Sequence, residues 1–213
     1  TMNKNTLILS ALALGLLALP FAVQAQVQPP DDPVGQATAE YFARTFANLK
    51  AVADRQPTKE TFREAMKPLE EATEGFFGGS FIDTDFVIRE VYYPRDFLAR
   101  GFDLKKVKQL DYFWDLMRKE PTPQLSEPGH GNLVQPRLIA MRYPVMQDGQ
   151  LAAVVSFFVR TPAFLAAVGL DKAKGYRITC RGVLAEEDGK LGDNPKSVTV
   201  SLPANEWLIE YAE

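Results

Sequence analysis

Apolar residues recur at helical spacing through Phe42, Phe46, Leu49 and Ala53. After a break at Gln56 and Pro57 the same period resumes through Phe62, Ala65, Met66 and Leu69. This predicts two long helices, the second kinked or divided by Pro68, which removes an amide donor from the helix interior. Each stripe is suited to core packing, where a buried Phe or Leu contributes about 1.5 to 3 kcal/mol. At Gly75 the period shortens, and FFGGSFID, the turn-like Thr84 and Asp85, and FVIREVYY read as two strands. Asp103 is placed to cap a third helix that carries Val107, Leu110, Trp114 and Met117 on one face and ends before Pro121. From Glu120 to Gln135 the stretch EPTPQLSEPGHGNLVQ has no periodicity, and loops of that length inside compact domains are often functional.

A hairpin follows, MRYPVMQDGQLAAVVSFFV, folded on Asp148 and Gly149. Alternation sets Arg137, Ile139, Met141, Tyr143 and Val145 on one face of its first strand, and Leu138, Ala140, Arg142 and Pro144 on the other. The second strand, LAAVVSFFVR, is apolar on both sides, which places it inside a sheet. Thr161 and Pro162 then read as the cap and first residue of a short helix that Gly169 closes. GYRITCRGVLAEEDG, KSVTVSL and EWLIEY supply further strands. The sum is an α+β fold, an antiparallel sheet of five to seven strands preceded by long N-terminal helices.

The ends of the chain bear on its compartment. Residues 1–25, a short basic start followed by LILSALALGLLALPFAV and the small residues Val23 and Ala25, read as a secretory signal peptide. The rival reading is an uncleaved anchor, since the run approaches the roughly 20 residues that span a bilayer. Either way the remainder is expected to be periplasmic or secreted, with residues 26–36 as a flexible tether and 37–213 as one domain. No later run is apolar enough for a second span, so no cytoplasmic output is expected from this chain. Cleavage would remove Lys4 and no acid, making the formal net charge of −3 more negative, which argues against nucleic acid as a partner. The one cysteine, Cys180, lies in a strand-like stretch and is expected to be a buried apolar side chain.

The order of these elements resembles the Cache family of extracytoplasmic sensor domains, whose fold is similar to that of PAS domains. The resemblance is carried by FIDTDFVIREVYYPRDF, the GFDLKKV helix start, the YPVMQDGQLAAVVSFFV hairpin followed at once by a short helix, and GYRITCRGVLAEEDG. A single-copy, free-standing periplasmic member suits the length. The resemblance implies a long N-terminal helix and a small ligand held between the central sheet and the loop facing it. It implies that the strand beginning near Arg137 is one wall, capped by the helix of Trp114 and the loop of His130. The aromatic-rich signature with which tandem relatives bind amino acids is not matched, because YYPRDF and YFWDLMR have the right residue types at other spacings.

Candidate ligand contacts are Arg137, Tyr143, Met141, Trp114, Tyr92 and His130. Tyr92 and Tyr93 offer hydroxyls and Arg95 paired donors, against the plainer reading of an exposed strand end. Trp114 is either core or pocket lining. His130, the only histidine, is a solvated loop residue, a ligand contact or a pH-responsive group. Arg137 and Arg142 face opposite sides of one strand, so one should meet solvent and the other an anion, since a lone buried guanidinium is costly. That anion is either Asp83, Asp85 or Glu90, or a bound carboxylate. Alternation favours Arg137 for the pocket, beside Met141 and Tyr143, and an internal carboxylate on Arg137 would remove the chemical basis of that reading. No activated nucleophile, metal cluster or cofactor motif is visible, so no catalytic or metal residue is assigned and no cofactor is expected. The expected function is a non-catalytic sensor domain for a small organic acid that relays occupancy through its N-terminal helices to a membrane receptor or envelope protein. The alternative is an accessory interaction protein without a ligand, docking or forming a homodimer through an apolar patch on the Phe42 to Ala53 helix.

Overall fold

The computed structural model describes residues 31–93, 99–129 and 137–213. The leader expected in residues 1–25, with Pro94, Arg95 and His130, lies outside them. Helix α1 (Pro33–Ala53) begins ahead of Ala37, which corrects the C-terminal part of the expected tether. The cause is a cap at Asp32, whose Oδ1 accepts from the amides of Val34 and Gly35 at 2.9 and 3.0 Å, followed by Pro33 with its φ already helical. The other oxygen of Asp32 accepts from the Tyr211 hydroxyl at 2.7 Å, which fastens the helix start to the last strand. Helix α2 (Phe62–Ala72) runs undivided through Pro68. The ring of Pro68 lies on the exposed face, where the carbonyl it leaves without an amide can be hydrated.

The strands form two antiparallel sheets. The first contains β1 (Phe76–Ile82), β2 (Ile88–Tyr92), β3 (Gln124–Leu125), β4 (Leu138–Gln147) and β5 (Gln150–Arg160) in the order β2-β1-β5-β4-β3. The second contains β6 (Gly175–Cys180), β7 (Val183–Gly189), β8 (Lys196–Leu202) and β9 (Asn205–Ala212) in the order β7-β6-β9-β8. Strand β5 occupies the middle of its sheet, as its apolar residues on both faces require. The hairpin turn carries Asp148 at φ 50° and Gly149 at φ 76°, the two left-handed residues that let a two-residue loop follow strand twist. Helices α3 (Asp111–Lys119) and α4 (Thr161–Ala167) complete the chain, with Thr161 as the first helical residue rather than the cap.

Helix α1 lies across both sheets, against β4 and β5 of the first and β8 of the second. Phe42 is its anchor, 1% exposed, stacked on Phe164 of α4 at 5.1 Å and edge-on to Trp207 of β9 at 5.1 Å. Phe46, Leu49 and Ala53 are buried with it, so the stripe considered for docking is internal. Cys180 is likewise buried in β6, where loss of solvent pushes its thiol pKa up. Among the described residues no helix is long and apolar enough to cross a membrane.

Because Phe42 joins three elements, Phe42→Ala should cost about 3 to 5 kcal/mol in denaturant-induced unfolding. A loss below about 1 kcal/mol would show that α1 does not couple the sheets through this ring.

Candidate ligand-binding cavity

The two faces of the β4–β5 hairpin meet different surroundings. Met141, Val155 and Phe157 point into the core beneath α1 and α2. The opposite face, with Ala140, Arg142, Ser156 and Phe158, floors a cavity of about 340 Å³. Its roof is the chain from Leu104 to Trp114 together with residues 126–129. The helix expected from Asp103 is instead two 3-10 turns, Leu104–Lys106 and Lys108–Leu110, that lead into α3. Asp103 does cap the first turn, accepting from the Lys105 amide at 3.0 Å. The tighter turns leave Val107 and Leu110 half-buried over the cavity, while Trp114 is fixed by stacking on Phe86 at 4.7 Å.

Arg142 is the charged group of this floor. It is 5% exposed, and its guanidinium carbon lies 5.1 Å from the ring centroids of both Phe113 and Trp114. Desolvation pulls its pKa down to about 10 against the opposing field of Glu127, so the side chain remains a cation at neutral pH. Its Nη1 is buried without a hydrogen-bond partner among the described residues. Glu127 also lines the cavity, but its Oε1 accepts from Arg181 Nε at 2.9 Å and from Arg181 Nη2. Arg181 in turn lies over Tyr112 and Phe113, at 4.2 and 5.0 Å from their centroids.

The remaining polar floor is set by register. Arg142 of β4 stands opposite Ser156 of β5, which stands opposite Ser80 of β1. The serine hydroxyls bond each other at 2.7 Å. On the other side Arg142 faces Gln124 of β3, whose amide nitrogen donates to the Phe113 carbonyl at 2.8 Å and ties α3 to the sheet.

Of the six expected contacts, Trp114 lines the cavity. Arg137 does not, and its expected role is corrected: it pairs with Glu186 of β7, a buried carboxylate that also accepts from the Tyr176 hydroxyl at 3.3 Å. None of the three acids considered for it serves, since Asp83 pairs with Arg89 and Glu90 with Arg100. Met141 is fully buried core on Arg137's face of the strand. Tyr143, on the same face, borders a separate hollow beside Asp54, Gln56 and Pro121. Tyr92 hydrogen-bonds Glu70 with Arg63 over its ring, whereas its neighbour Tyr93 reaches the cavity. His130 lies outside the described residues. The serines are not among the expected contacts, although each is the single serine of its strand, flanked on both sides by apolar residues or glycine.

No protein-family model and no curated protein matches the sequence. Solved structures match in fold: the arrangement of N-terminal helices and antiparallel sheets is similar to that of chemoreceptor ligand-binding domains. An extracellular ligand binding receptor from Desulfohalobium retbaense aligns with a TM-score of 0.61 at 15% identity, over 85% of this chain and 39% of that one. This chain therefore spans about two fifths of that receptor's length. The ligand-binding domain of the Pseudomonas aeruginosa amino acid chemoreceptor PctC, solved with GABA, aligns at 0.57 and 14% identity over 84% of this chain and 93% of the other. That of PctB from the same organism, solved with L-Arg, aligns at 0.60 and 15% identity over 82% and 88%.

The two strand arginines should respond oppositely to removal. Arg137→Met strands a buried carboxylate and should cost about 2 kcal/mol, below the ~3 to 5 of a fully buried pair because the Arg137 side chain is 34% exposed. Arg142→Met removes a cation that has no partner carboxylate among the described residues and should leave stability within about 1 kcal/mol of the parent or raise it. Urea unfolding of both variants measures this, and a reversed order would contradict the assigned pairings.

Proposed function

We propose that this chain is an extracytoplasmic sensor domain that binds a small organic acid beneath α3, with Arg142 as the partner of the carboxylate. The observation that carries the reading is the unpartnered Nη1 of a buried guanidinium beside an otherwise largely apolar cavity. A carboxylate there would satisfy the nitrogen and offset the desolvation of the cation with charge-assisted hydrogen bonds. The volume of about 340 Å³ suits a small metabolite, since ligand sites run from about 300 to 1,000 Å³. The ligands in the matched chemoreceptor structures, GABA and L-Arg, both present a carboxylate. The one acidic side chain of the described lining, Glu127, is engaged by Arg181, so the cavity provides better for an anion than for an ammonium group.

The site is a binding site, and the chain is read as non-catalytic. Occupancy passes to a membrane receptor or envelope protein through the N-terminal helices. The affinity has a ceiling: at about −1.5 kcal/mol per heavy atom, a four-atom acid reaches only about −6 kcal/mol, or tens of micromolar.

A thermal-shift series with small carboxylates tests the reading. The parent protein should be stabilised, by about 2.7 kcal/mol at a hundredfold excess over Kd, and Arg142→Met should lose the response while remaining folded. No shift with any acid, or equal shifts in the variant, would overturn it.

A further inference from the structure

We infer that the Ser80 and Ser156 hydroxyls form a second polar anchor in the cavity, so that the acid it takes carries another oxygen, as a hydroxyl or carbonyl, besides its carboxylate. The inference rests on the Arg142 site proposed above and specifies its ligand.

The hydroxyls are each 1% exposed and both border the cavity. Two hydroxyls carry two protons, and their mutual bond at 2.7 Å uses one. The proton of whichever hydroxyl accepts in that bond has no bonded acceptor among the described residues. The pair therefore presents one O–H donor, with spare lone pairs, to whatever occupies the cavity. Packing alone does not call for this. Alanine at both positions would fill nearly the same volume without burying two hydroxyls, which is unfavourable where their bonding is incomplete.

Position adds the second half of the argument. Arg142, Ser156 and Ser80 stand side by side on β4, β5 and β1, with neighbouring strands about 4.8 Å apart. The Arg142 side chain leans toward the rings of Phe113 and Trp114. The serine pair thus sits on a different part of the floor from the guanidinium, and Ile82, Ile88, Leu104 and Phe158 supply apolar lining. A guest that meets both polar groups has a carboxylate at one end and an oxygen further along a short apolar chain. A plain alkyl acid would satisfy Arg142 and leave the serine proton unmet.

Isothermal titration of the parent protein with propionate, lactate and pyruvate, and with pentanoate and levulinate, compares acids of matched size with and without the added oxygen. At least one oxygenated acid should bind about tenfold tighter than its plain counterpart, the worth of one well-made hydrogen bond. The double variant Ser80→Ala/Ser156→Ala should abolish that preference, since either hydroxyl alone still carries a proton to donate, with an unfolding curve confirming that it is folded. Equal binding of plain and oxygenated acids by the parent, or a preference that survives both substitutions, overturns the serine anchor and leaves the Arg142 reading intact. Absence of binding by every acid to the folded parent overturns both.

Discussion

Burial of the β4–β5 hairpin on both faces is the constraint around which the chain is organised. One face is closed by α1, whose Phe42 also reaches α4 and β9 and so brings the second sheet into the same core. The other face is roofed by the 3-10 turns and α3, which leave a cavity instead of a filled interior. With both faces covered, any charge on β4 is desolvated and needs compensation from the protein or from a guest. The two arginines of this region meet that demand differently. Arg137, at the start of the strand, is neutralised by Glu186, whereas Arg142 meets, among the described residues, ring faces and the field of Glu127.

Ring contacts explain why Arg142 can remain charged while nearly solvent-free. Each cation–π contact is worth about 0.5 to 2 kcal/mol, which offsets part of the desolvation and supplies no acceptor for an N–H. The guanidinium is therefore held in place yet under-bonded. The nearby carboxylate of Glu127 does not complete it, because Arg181 claims an oxygen of that group and covers Phe113 as well. Among the described residues, two arginines, three aromatic rings of α3 and one carboxylate thus share a charge arrangement with one more cation than anion.

Much of this was legible in the chain itself. The stripe of α1, the Asp148–Gly149 turn and the interior position of β5 follow from period and turn chemistry, whereas the choice of the strand after Arg137 as a wall rests on the resemblance in element order. The side of that strand facing the cavity follows from neither. Alternation separates Arg137 from Arg142 but is silent on which face α1 covers, and β5, apolar on both sides, gives no parity of its own. The partner of Arg137 lies 49 positions away on β7, beyond the reach of local pattern. The broken helix after Asp103 escaped for a related reason: 3-10 turns present apolar residues at spacings close to those of an α-helix. The division of the strands into two sheets is likewise set by tertiary pairing, which runs of alternating residues do not encode.

The second sheet has a structural connection to the cavity. Strand β3, at the edge of the first sheet, would expose unpaired backbone groups on its outer side. Instead the Leu125 amide donates to the carbonyl of Pro203, in the turn between β8 and β9, at 2.8 Å, and the side chain of Asn205, the first residue of β9, donates to the Leu125 carbonyl at 2.9 Å. Arg181, in the turn between β6 and β7, holds Glu127 of the roof, and Glu186 of β7 holds Arg137 at the foot of the wall. The segments that flank Arg142 are thus pinned from the C-terminal half of the chain. That half also carries Tyr211, which fastens the start of α1. The fold by itself says nothing of what enters the cavity, but its C-terminal half touches both the roof, through Arg181 and Glu127, and the first turn of α1, through Tyr211 and Asp32.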